Sequence, residues 1–216
     1  MIKKNWDDLT IGDHLMIQDI SNMQMASEDE KNMRVAALLS GLEYEQLLQM
    51  PFENLRAIMD NTEFLLHKPE AKKARRKYEI DGRTYMLFRD PSEMTVAQFI
   101  DFQQIYRDGF EKYPAEMLAI FLVPEGHHYN DGYDKEEQME DMRKMSVTEA
   151  LGVCGFFIRR CHRLVYRMMT YSMLMIKWRR LVAPKAMKPV LKEMERTLAM
   201  MAEESERQFG LTLSTP

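Results

Sequence analysis

The chain has 216 residues, 45% apolar and 30% charged, and carries a net charge of −4. A chain of this size buries a substantial core by itself, which excludes a mini-protein that depends on metal or disulfides to fold. Nine glycines and eight prolines are few for a turn-rich all-β protein, and helix formers dominate, so the expected fold is mainly α.

Residues 1 to 70 read as short helices. Thr10 with Asp13 forms an N-cap pair ahead of Ile11, Leu15 and Met16. Ser27 with Glu30 has capping-box spacing, and the helix after it stops at Gly41. Pro51 suits a first helical position, followed by Phe52, Leu55, Ile58 and Met59 at helical spacing. The basic stretch Lys68 to Arg76 reads as a solvated linker or a helix end. The pattern then changes. KYEI-DG-RTYMLF predicts a single β-hairpin near residues 77–88, with Asp81 and Gly82 in the turn, Tyr78 opposite Tyr85 and Ile80 opposite Arg83. An isolated hairpin is only marginally stable, so it must pack on helices or join a partner's sheet.

Thr95 and Gln98 predict a second capping box and a further helix. Pro114 opens a short apolar helix, AEMLAIFLV, read as running to Pro124. A loop follows, then an acidic helix from Asp134 to Lys144. Ser146 and Glu149 cap a long C-terminal helix, which Pro184 and Pro189 kink or break. The expected organisation is a helical domain over 1–183, with the hairpin inserted, and a helical extension over 184–216. Between Leu164 and Ile176 the apolar run is too short to span a membrane, which needs about 20 apolar residues, and Arg167 interrupts it. No signal peptide is read in MIKKNWDDLT, and the expected location is cytoplasmic.

Charge is unevenly spread. Met145 to Lys192 contains ten Lys or Arg residues and one acid, Glu149. Phe157, Leu164, Met168, Tyr171 and Met175 recur at spacings of three, four and seven, so they share one helical face. With Arg160, Arg163 and Arg167 beside them, these residues form the expected partner-binding surface. Its basic side also suits the acidic section Glu111 to Asp141, within the chain or between copies. Methionine is abundant, at 21 residues, and its flexible side chain adapts to varied partners.

Reactive chemistry is sparse. The chain has no phosphate-binding glycine loop, no zinc-protease motif, no Cys-x-x-Cys pair and no nucleophile elbow, and the expectation is a non-enzyme without cofactor or metal. Glu125, His127, His128, Asp131 and Asp134 cluster within ten residues, but their spacing lacks a calcium-loop pattern and reads as a structural loop. Cys154 and Cys161 are seven residues apart, about 10 Å of helix rise, too far to bridge within one helix, so both are expected reduced.

Several phrases resemble small proteins of tailed phages and prophages of gut Bacteroidales. They are DLTIGDHL from Asp8, RVAALLSGL from Arg34, QMPF from Gln49, MTVAQFIDFQ from Met94, and FLVP with YNDGYD between Leu118 and Asp134. The layout of helices, short hairpin and more helices is similar to that of phage tail assembly chaperones, over roughly residues 6 to 175. The resemblance implies a non-enzymatic protein of the host cytoplasm that binds the helical tape-measure protein and tail components. The alternatives are a virion structural protein, such as a neck, connector or tail-completion component, and a nucleic-acid-binding regulator.

Overall fold

The structure is a computed structural model that describes residues 3–24, 27–88, 90, 93–109, 112–182, 184 and 187–209. It is mainly helical with one small sheet. Two compact units are present, Met1–Phe156 and Phe157–Pro216. The division falls inside one continuous helix, whereas the boundary expected at 183–184 lies beyond the end of that helix at Val182.

In the first unit, Thr10 caps α1 (Ile11–Ser21) through a reciprocal box with Asp13. Burial pushes the Asp13 carboxyl up, but bonds from Lys3 and Thr10 outweigh it and hold the group below its ordinary range. The same corner is tied to the C-terminal half of the chain, because Ile11 N–H donates to Met145 O and Val147 N–H to Leu9 O, both at 2.9 Å. Ser27 caps α2 (Glu28–Ser40), which ends at Gly41 in the left-handed region, φ 69°. Only half of the expected box forms there, since Glu30 pairs with Arg34 one turn on, at 2.7 Å. Helices α3 (Tyr44–Leu48) and α4 (Phe52–Asp60) pack on α2 around Ala36, Ala37, Leu47 and Ile58. Pro51 is the cap of α4, one place before the expected position.

The basic linker is not simply solvated. Its charges reach solvent, but its backbone docks on the longest helix described, α8 (Val147–Val182): Lys72 N–H donates to Thr148 O at 2.9 Å, and Arg75 pairs with Glu149. A Cβ placed on Gly152 of α8 would lie 2.1 Å from Lys72 O, so only glycine admits this approach. Gly152→Ala is therefore expected to destabilise the protein by about 1–3 kcal/mol through overpacking, against a helix-propensity gain of about 1 kcal/mol. Urea unfolding checks the sign; a stabilised variant would mean the linker lifts off freely.

Strands β1 (Lys77–Ile80) and β2 (Arg83–Leu87) pair in the expected register. Asp81 and Gly82 both have positive φ, 49° and 78°, as a two-residue hairpin turn of this kind requires. One expectation fails. After α5 (Val96–Asp108), α6 (Pro114–Phe121) stops three residues short of Pro124, and β3 (Leu122–Pro124) pairs antiparallel with β2. The hairpin thus becomes a three-stranded sheet within the chain. Two buried glutamines explain the switch from helix to strand. Gln98 of α5 donates to Ile120 O at 3.0 Å, and Gln138 of α7 (Lys135–Lys144) donates to Ala119 O and Leu122 O at 3.0 and 2.7 Å. They satisfy carbonyls at the end of α6 that would otherwise be buried without donors.

Next to the sheet lies a buried carboxylate. Asp141 of α7 is 0% exposed, accepts from Tyr85 OH at 2.6 Å and pairs with Arg83, whose Nη2 is 3.0 Å away. Burial, and the carboxylate beside it, push the Tyr85 phenol above its ordinary range, so it remains a donor.

The second unit comprises the rest of α8 and α9 (Lys188–Phe209). By sequence, the first unit has eighteen Lys and Arg against twenty-nine Asp and Glu, or −11, and the second has twelve against five, or +7.

Candidate partner-binding groove

Alpha-helical pairing in the second unit follows from its apolar spacing and one acid. Glu195 of α9 meets Arg180 at 2.8 Å and Lys177 at 3.8 Å, both on α8. Ile176 and Leu191 are buried. Residues from 171–179 and from 190–198 line one groove, and Glu195 reaches Arg180 and Lys177, so α9 folds back along α8. Between the helices is a groove of about 780 Å³, walled by Tyr171, Met175 and Ile176 on α8 and by Val190, Met194 and Leu198 on α9. Much of this apolar surface is open: Tyr171 is 65% exposed, Val190 61% and Met194 50%.

The expected partner-binding residues separate into groups. Tyr171 and Met175 line the groove. Arg160, Arg163 and Arg167 are exposed. Phe157 is 1% exposed and is packed inside the folded chain, so its place in the apolar repeat does not make it surface. The side chains of Leu164 and Met168 lie outside the described residues. The sequence pattern gave a helical extension after residue 183 but not Val190 and Met194 as the second wall. The available signal was the spacing of Val190, Met194 and Leu198, four residues each, just after Pro189, which falls in the first turn of α9 and does not break it.

Elsewhere, several polar groups hold structure. A hollow of about 410 Å³ in the first unit includes Asp101, Asp108, Glu116, Tyr113 and Tyr129 in its walls. Tyr129 OH donates to Asp101 at 2.7 Å, and the Lys135 ammonium sits 5.5 Å from the Tyr129 ring centre. The His127 ring packs edge-on against Tyr133, with Nδ1 3.2 Å from Asp131 O. Asp134 caps α7. Among the described residues, no group of three or more His, Cys, Asp or Glu is placed to hold a metal ion. Among them too, no helix is long and apolar enough to cross a membrane.

Both cysteines are free, and burial pushes each thiol up to about 12. Thiolate is the reactive form, so alkylation of the native protein at pH 8 is expected to be at least about tenfold slower than in urea. Equal rates, read by mass spectrometry, would contradict this packing.

Compared with known proteins, the chain matches no family model, no curated protein and no solved structure. Its functional reading therefore rests on the groove and the charges around it.

Proposed function

We propose that this protein is a non-enzymatic tail assembly chaperone of a tailed phage. It holds the helical tape-measure protein in the host cytoplasm while the tail assembles. The observation that carries the reading is the open apolar groove between α8 and α9, walled partly by Met175 and Met194. Two helices with a furrow between them accept a third amphipathic helix by packing its ridge into the furrow. Methionine walls adjust to successive segments of a long client.

Magnitudes fit holding and release. The groove spans nine residues of each helix, so about 12 Å of partner helix, or two turns, can lie in it. Two turns offer about three apolar side chains, a gross gain of about 5–9 kcal/mol. Association costs about 4 kcal/mol or more, which leaves a weak, reversible grip at each groove. That is what a holder needs if its client must later pass to tube subunits.

The test is co-expression with the tape-measure protein of the same tail, followed by mass spectrometry of purified particles. A soluble complex before assembly, and no trace of this chain in finished particles, is the expected result. Its stoichiometric presence in particles would instead assign it to the virion structure.

A further inference from the structure

Beside the groove, α8 carries a second feature, a continuous outward stripe. Arg163, Arg167, Tyr171, Leu174 and Trp178 follow one another at steps of four, four, three and four residues, and all are exposed. Steps of three and four keep successive side chains on one helical face. The stripe is about 22 Å long and changes character along its length. Its N-terminal part is cationic. Its C-terminal part is apolar and aromatic, with Leu174 60% and Trp178 58% exposed. Tyr171 belongs both to the stripe and to the groove.

Such a surface selects its occupant by charge as well as by shape. A uniformly apolar helix would leave Arg163 and Arg167 without matching charge, and a basic one would be repelled. Resting on the chaperone reading above, we propose that the segment of the client gripped here is an amphipathic helix of two blocks. One to two turns bearing Asp or Glu lie against Arg163 and Arg167. The adjoining turns bear large apolar residues and lie against Tyr171, Leu174 and Trp178. Arginine suits the first block because its planar fork pairs with carboxylates in two-point geometry. Tryptophan and tyrosine suit the second because rigid aromatic anchors dominate interface energetics. In this arrangement the arginines choose the segment of the client, and the groove holds it.

Three synthetic helical peptides test this, identical in a Leu/Phe block and differing in a second block of Glu, Gln or Lys. Binding is read by anisotropy of a peptide label, and by a blue shift of Trp178 emission that Trp178→Phe removes. At about 50 mM salt the Glu peptide is expected to bind at least about tenfold tighter than the Gln peptide, with the Lys peptide weakest. At about 0.5 M salt the differences are expected to shrink below about threefold, because exposed charges are then screened. The double variant Arg163→Glu, Arg167→Glu is expected to invert the order and prefer the Lys peptide. Both positions are exposed, and circular dichroism checks that the fold is kept.

Equal binding of all three peptides, or a Glu preference that survives the charge reversal, would overturn the two-block partner while leaving the groove reading intact. Failure of every peptide to bind would count against both. Salt-reversible self-association of the protein alone, lost in the double variant, would assign the stripe to the acidic first unit of another copy and overturn the proposal.

Discussion

Tyr171→Asp combined with Met194→Asp is expected to abolish capture of the helical client, by at least about 100-fold in affinity, with the helical signal unchanged. The two residues stand on opposite walls of one groove. Each replacement puts a carboxylate where an apolar side chain of the client would be buried. Loss of a buried anchor costs about 2 kcal/mol or more, and two together exceed the roughly 2.7 kcal/mol that corresponds to 100-fold. Because Tyr171 is 65% and Met194 50% exposed in the free chain, the fold depends little on either. Pull-down from co-expressing cells reads the loss, and circular dichroism reads the fold. If the variant unfolds, these residues belong to the core. If it folds and still captures the client, the contact lies on the first unit.

Asp141→Ala is expected to produce the largest loss of stability, about 2–4 kcal/mol. Truncating one member of a buried ion pair costs about 3–5 kcal/mol because the other charge is stranded. Here the figure is discounted, since the Arg83 side chain is 38% exposed and keeps Glu137 as a second partner. The Tyr85 hydroxyl has no such relief, because Tyr85 is 1% exposed and Asp141 is its acceptor. Urea unfolding measures the loss. A companion readout is optical titration of Tyr85, whose raised pKa should fall when the neighbouring carboxylate is gone. A change under about 0.5 kcal/mol, typical of an unremarkable surface site, would mean that Asp141 does not anchor α7 to the sheet.

Where fold information was local, it could be read directly. Asp81-Gly82 predicted the hairpin and its register, because that pair tolerates positive φ at both places. Thr10 with Asp13 and Thr95 with Gln98 predicted two helix starts, since each cap depends only on residues three apart. Distant partners hid the rest. The residues of AEMLAIFLV are apolar almost throughout, so nothing in them marks the turn from α6 to β3. What ends the helix is the edge of β2 and the two glutamines brought in from α5 and α7. The docking of Lys72 on Thr148 joins residues 76 apart, and only Gly152 inside a helical pattern hinted at a close backbone approach.

The candidate site was legible in part for the same reason. Helical spacing groups Phe157 with Tyr171 and Met175, yet it cannot tell a face turned to the core from one turned to a partner. Val190 and Met194 acquire their role only because α9 folds back along α8. The arginines were conspicuous as charge, but what they imply for a partner depends on the aromatic residues that continue their stripe. That continuation needs the exposures of Leu174 and Trp178, which a sequence pattern does not supply.

Hydrogen exchange on the complex purified after co-expression with the tape-measure protein tests the central claim most directly. Exchange is expected to slow in residues 171–198, on both walls of the groove, while the hairpin and sheet of the first unit keep their free-state rates. Slowing confined to residues 3–156, or no complex to purify, would contradict the account.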